Sequence, residues 1–219
     1  MAILPPSAPD ALVGRAADLD VVLAHLAPET EGARIVVVTG PVGVGKSRLA
    51  RAAVAELEQR RSFSRFVVVD ASGVTSRDEL SDAIAGALGV RPDLAGGVAT
   101  ALEALDDALV AIDALDGLDD VDAAFGAWLD AAPTCRFLVT RRARASQRGS
   151  SGIPIEPLPT PTGADLAGPA AELLLQCIRR ARATYVPTSA EAPVLAELLR
   201  ELDGLPLAIE LAAPRLEVM

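Results

Sequence analysis

The sequence predicts an α/β fold, a mostly parallel sheet covered by helices and followed by a small helical unit. Three observations carry this. Through the first 156 residues, short apolar runs alternate with stretches of helical periodicity, as expected of strands buried on both faces by crossover helices. The run "IVVVT" leads into the glycine-rich stretch "GPVGVGKS" at 40–47, and a helical pattern starts at once. Past a break in composition at 157–169, "PLPTPTGADLAGP", only helical signals remain. The expected organisation is therefore an α/β domain over 1–156 and a small helical domain over 157–219.

Each element has its own reason. Residues 1–10 hold three prolines and read as a loose arm. "DLDVVLAHLA" spaces its apolar residues helically, and "PETEG" ends it. "RIVVVTG" is a buried strand, and Lys46 to Arg61 is a helix. "RFVVVD" at 65–70 repeats the strand pattern, and Ser76 with Glu79 forms a capping box for the helix in "SRDELSDAIAGALGV". "ATALEALDDA" reads as helix and delivers "LVAID", a strand ending at Asp113. "VDAAFGAWLDAA" is helical, and "CRFLVT" at 135–140 is a strand. "RRARASQRGSSG" reads as a basic loop, and "IPIEPL", broken by Pro154, as an edge strand at most. "AAELLLQCIRRAR", "SAEAPVLAELLRELDG" and "LPLAIELAA" are the trailing helices.

Composition narrows the function. A formal net charge of -10 opposes a surface built to neutralise nucleic-acid phosphates. Of the 20 basic residues, 19 are arginine, and Lys46 is the single lysine. Cys135 and Cys177 form no CxxC pair or disulfide scaffold, and with the lone His25 they offer no zinc spacing. The N-terminus lacks a signal-peptide pattern, and no run of 18 apolar residues occurs, so a cytoplasmic location is expected.

The chemistry sits at 40–47, which satisfies G-x-x-x-x-G-K-[ST] through Gly40, Gly45, Lys46 and Ser47, with Gly43 and Val44 inside the variable run. Glycines let successive N–H groups curl around an anion, and the following helix aims its positive end at the same place. Lys46 suits the β- and γ-phosphates, and the Ser47 hydroxyl suits Mg²⁺. A carboxylate for that metal is expected from Asp113, at the strand edge where open parallel sheets collect ligands. Asp116 is the nearest candidate for handling water, whereas Asp119 and Asp120 read as surface charges or a cap. Thr140, Arg141 and Arg142 end the fourth strand on the same edge, where Thr140 suits water or phosphate and one arginine suits a γ-phosphate; Arg144 and Arg148 read as solvated.

Together "LVGRAADL", "VVVTGPVGVGKSRLA", "LVAIDALDGL", "FLVTRR" and "LDGLPLAIELAA" resemble the NB-ARC-like module of STAND-class P-loop ATPases, as in bacterial regulators of the LuxR and SARP types. The resemblance implies ATP or ADP with Mg²⁺, held between the α/β domain and a helical lid. It places Val13, Gly14 and Arg15 near the adenine, Arg48 next to the phosphate loop, Pro206 against the base, and Arg142 at the γ-phosphate. Asp113 matches the Mg²⁺ residue, and Asp116 an acid common in the bacterial subgroup. Ala114 departs from the usual Asp or Asn, which argues for slow hydrolysis.

The function expected from the sequence is an ATP/ADP switch with slow Mg²⁺-dependent hydrolysis, part of a signalling or transcriptional regulator; the alternative is a scaffold that binds nucleotide without hydrolysis. Full family members continue into further sensor and effector domains, so protein partners or self-association are expected. Direct DNA binding and membrane association are not.

Overall fold

The computed structural model describes residues 12–27, 33–90, 97–105, 107–118, 122–142 and 150–217. The arm at 1–10, "PETEG", Asp119, Asp120, Arg144 and Arg148 lie outside the described residues. The chain divides into two compact units. Asp18–Gly40 and Lys46–Pro154 belong to the first; Ala11–Ala17, Pro41–Gly45 and Ile155–Met219 belong to the second.

The first unit is built on a five-stranded sheet of β1 (Ile35–Thr39), β2 (Arg65–Asp70), β3 (Ala108–Asp113), β4 (Arg136–Arg141) and β5 (Ser150–Pro154). The spatial order is β2-β3-β4-β1-β5 and every ladder is parallel. Fully buried β1 and β4 carry unbroken apolar runs because both faces are covered, whereas β2, at one edge, is buried only at alternate positions. β4 lies between β1 and β3, so the strand that leads into the glycine loop and the strand that ends at Asp113 flank Thr140.

Helices α1 (Ala16–Leu26), α2 (Lys46–Arg60), α3 (Arg77–Leu88), α4 (Gly97–Glu103) and α5 (Asp122–Ala131) are interleaved with the first four strands, α3 and α4 both falling between β2 and β3. α2 packs on β1, β3 and β4. One sheet face buries Val69, Val110, Phe137 and Val139 with Leu80 and Ile84 of α3, Leu102 of α4, and Phe125 and Trp128 of α5. Phe125 sits edge-on to Phe137 at 5.1 Å and to Trp128 at 5.4 Å. Truncating Phe125 to alanine would cost about 3–5 kcal/mol through lost burial and the cavity left behind. At the start of α3 the Ser76 hydroxyl accepts the Glu79 N–H at 3.2 Å while Glu79 accepts the Ser76 N–H, the capping box expected from the sequence.

At β5 and α4 the departure from the sequence reading has a tertiary cause. β5 starts at Ser150, inside the stretch expected to be loop, because pairing with β1 from Ile35↔Ser150 to Thr39↔Pro154 gives this segment a ladder its composition does not advertise. It is an edge strand, with Pro154 at its last residue. α4 stops at Glu103, short of the expected helix to residue 108, since Ala108 is drawn into β3 opposite Arg65.

In the second unit, α6 (Pro169–Ala181), α7 (Glu191–Glu201), α8 (Pro206–Ala212) and a 3-10 turn at Ala213–Glu217 gather around Val13, Leu158, Leu174, Leu199 and Ile209. α6 and α8 both open on proline at the first turn, where a missing N–H costs nothing. Among the described residues no helix is long and apolar enough to cross a membrane.

Candidate phosphate-binding site

Parallel strands bring their C-terminal ends to one edge. In the first unit that edge carries Asp70 opposite Asp113, with Thr140 on the adjoining strand, where Ile112 faces Val139. Asp113 is the centre of the cluster. Its Oδ1 accepts the Ser47 hydroxyl at 2.7 Å and the Thr140 hydroxyl at 2.5 Å, and Oδ2 lies 3.5 Å from Arg51 Nη2. Thr140 Oγ1 also accepts the Ala114 N–H at 2.9 Å, which fixes the backbone just past Asp113.

One carboxylate beside one hydroxyl is the hard-oxygen pair that Mg²⁺ takes while keeping waters and phosphate oxygens as its other ligands. No cluster of three His, Cys, Asp or Glu able to hold a metal exists among the described residues, so an all-protein cage is not what these side chains form. Ser47 and Asp113 fit Mg²⁺ that arrives with a phosphate ligand.

Lys46 opens α2 and donates from Nζ to Gly40 O at 2.9 Å. Burial draws its ammonium below the ordinary lysine pKa and Arg142 acts the same way, while the Asp116 and Asp113 carboxylates oppose them. Asp116 accepts the Arg142 N–H on Oδ1 at 2.5 Å and pairs with Arg142 Nε through Oδ2 at 3.0 Å. Arg141, the last residue of β4, and Arg142, just past it, part company here. Arg142 is exposed on Asp116, whereas Arg141 is buried and donates from Nη2 to Leu118 O at 3.1 Å.

Loop residues Pro41–Gly45 belong to the second unit. The Val44 N–H closes a turn on Pro41 O at 3.4 Å. Gly43 is required twice over: its φ is +80°, and a Cβ there would stand 2.9 Å from Leu207 Cβ. Two donors of the same unit take the loop's carbonyls. The Leu207 N–H, in the first turn of α8, reaches Gly43 O at 3.1 Å, and Arg15 Nη2 reaches Val44 O at 3.0 Å.

Gly45 lies in the loop with φ +103°, and Arg48 is half-buried in the first turn of α2. Val13 is in the core of the second unit, Gly14 abuts Pro169, and Pro206 is buried at the start of α8. Sequence reasoning missed Arg51. It stands four residues after Ser47 on α2, the spacing that puts two side chains on one helix face, and that spacing was the available signal. It also missed the N–H of Leu207, for which no local signal exists.

A family model described as AAA domain matches residues 29–146, more than half of the chain. Uncharacterized protein Rv0894 of Mycobacterium tuberculosis is 34% identical over 212 residues, which cover 94% of this chain and 51% of that protein. Uncharacterized protein Mb0918 of Mycobacterium bovis matches with the same figures, so the chain spans about half the length of these curated relatives. The fold is similar to that of Cdc6p from Pyrobaculum aerophilum, with 18% identity, a TM-score of 0.63, and coverage of 94% of this chain and 62% of that one. It is also similar to the RuvB Holliday junction branch migration motor of Thermotoga maritima, with 19% identity, a TM-score of 0.55, and coverage of 93% and 60%. AMPPCP-bound DnaA from Aquifex aeolicus shows 17% identity, a TM-score of 0.53, and coverage of 91% and 61%. These likenesses speak for the fold, and the family match says more: the chain belongs to the AAA domain family of P-loop ATPase modules.

Proposed function

We propose that this chain is an ATP/ADP-binding switch module with slow Mg²⁺-dependent hydrolysis, of the STAND type that serves signalling and transcriptional regulators. The observation that carries the reading is the 2.7 Å hydrogen bond from Ser47 to Asp113, which joins the end of the glycine loop to the carboxylate that ends β3. In this reading Gly40 to Ser47 and Arg48 surround the phosphates, with Lys46 as the mobile cation. Ser47 and Asp113 hold Mg²⁺, which when bound neutralises charge on the β- and γ-phosphates. Thr140 positions Asp113, Arg142 reaches the γ-phosphate, and Asp116 handles water. Val13, Gly14 and Pro206 serve the base.

Slow turnover is supported by two features. Ala114 supplies no second acid, and both oxygens of Asp116 are engaged by Arg142 before any water could use them. The α/β domain over 1–156 binds, and the helical domain over 157–219 reports the nucleotide through contacts that differ between ATP and ADP. A net charge of -10 favours protein partners or self-association over a duplex.

Calorimetric titration of the nucleotide-stripped chain with ATP and ADP in Mg²⁺, beside Lys46→Ala, tests this. Binding at about micromolar or tighter that Lys46→Ala abolishes is expected. A folded parent without binding, or a variant that binds equally well, overturns the reading. Small-angle scattering with each nucleotide then tests the switch, and equal compactness in both states would remove it.

A further inference from the structure

We infer that Arg15 is a positioning residue for the phosphate loop: it holds the Val44 carbonyl turned away from the anion side and acts without touching nucleotide. The inference rests on the reading of residues 40–47 as the phosphate loop. Arg15 is 8% exposed, and its Nη2 donates to Val44 O at 3.0 Å and to Glu156 O at 2.5 Å. A guanidinium only donates and stays charged when buried, so it needs carbonyl or carboxylate acceptors to remain there. Here the acceptors include a carbonyl of the loop and one at the start of the helical unit's long segment.

The consequence follows from peptide geometry. No peptide bond among the described residues is cis, so the Val44 C=O and the Gly45 N–H point in opposite directions. Fixing the carbonyl outward aims the Gly45 N–H inward, as an anion-binding loop requires. The Val44 side chain is buried, but nothing packs on the Gly45 side: chain neighbours apart, no heavy atom comes within 4 Å of where a Gly45 Cβ would sit. Glycine leaves this peptide free to flip, and a flipped peptide would present an oxygen to the phosphate. The charged donor also polarises the peptide and strengthens its N–H. The Leu207 N–H gives the preceding carbonyl, Gly43 O, a parallel restraint at 3.1 Å.

Tripolyphosphate separates this role from contact with the base, because it has none. The full chain, Arg15→Ala, Arg15→Lys and Lys46→Ala are titrated with ATP and with tripolyphosphate in Mg²⁺. Arg15→Ala is expected to weaken both ligands by the same factor, about tenfold or more for a charged hydrogen bond. Arg15→Lys, which keeps one charged donor, should recover part of that loss. Loss of ATP affinity with tripolyphosphate affinity unchanged overturns the inference and makes Arg15 a base contact, and unchanged affinity for both overturns it outright. Should Arg15→Ala fail to fold, the same comparison is read from Arg15→Lys, with equal losses expected. A parent that binds neither ligand, or that is indifferent to Lys46, removes the nucleotide reading itself. Lys46-dependent binding that is indifferent to Arg15 removes only this inference.

Discussion

Asp116 grips Arg142 with both carboxylate oxygens, Oδ1 on the backbone N–H at 2.5 Å and Oδ2 on Nε at 3.0 Å. The Arg142 side chain remains 60% exposed, so this pair contributes about 1 kcal/mol or less, and a phosphate group can displace the carboxylate. Arg142→Ala is expected to weaken ATP about tenfold and leave ADP within about twofold, since only ATP offers the group that competes for the guanidinium. Equal losses for the two nucleotides in calorimetry would take the γ-phosphate role from Arg142. Asp116→Asn should lower the rate of phosphate release by about a hundredfold, in the usual range for removing a general base. An unchanged rate would leave Asp116 only the task of holding Arg142.

Asp113 collects two hydroxyl donors and one guanidinium. Asp113→Asn keeps the shape and removes the charge, so the Mg²⁺-dependent part of ATP affinity should vanish while affinity in EDTA stays the same. Retention of the Mg²⁺ effect in the variant would place the metal elsewhere. Arg51→Gln, which withdraws the competing cation from Asp113 Oδ2, should shift the Mg²⁺ midpoint to lower concentration.

The glycine loop was legible because strand, loop and helix follow one another in sequence, and each announces itself by local pattern. Asp113 was legible for a related reason: an aspartate that ends a buried apolar run must lie at the ligand edge of a parallel sheet. What pattern did not disclose was tertiary. The ladder that makes Ser150 to Gly152 a strand is supplied by β1, and the partners of Gly43 O and Val44 O come from residues 207 and 15. Between Arg141 and Arg142 local pattern offered no decision and only the family resemblance pointed to Arg142; the end of β4 separates them, its last residue buried on Leu118 O and the next exposed on Asp116.

Ala114 has a φ of +60°, a conformation that costs an L-residue with a Cβ about 1–2 kcal/mol and that asparagine, aspartate and glycine tolerate better. The strain gives a backbone reason to prefer Asp or Asn here, separate from any catalytic one. Ala114→Asn should therefore raise stability by about 0.5–1 kcal/mol, or about 2–4 °C in Tm for each kcal/mol gained. Ala114→Asp should bring a similar gain and, if a second acid limits hydrolysis, faster phosphate release as well. A lower Tm in both variants would show that the surroundings of Thr140, not the backbone, decide this position.

Acid should weaken the two units at separate helix starts. Hydrogen bonds from the Thr75 N–H and hydroxyl, with the Ser76 N–H, hold Glu79 below the ordinary glutamate pKa; the Thr188 N–H and hydroxyl do the same for Glu191. A carboxyl whose folded pKa is lowered binds fewer protons folded than unfolded. Its stabilisation is whole above the ordinary value of about 4.3 and is lost as pH falls through the lowered one. Glu79→Gln should thus destabilise the α/β unit at pH 7, with a gap from the parent that closes below about pH 4. Glu191→Gln should do so for the helical unit. Urea midpoints measured across this range check both, and a gap that stays constant with pH would mean that the amide loses packing rather than charge.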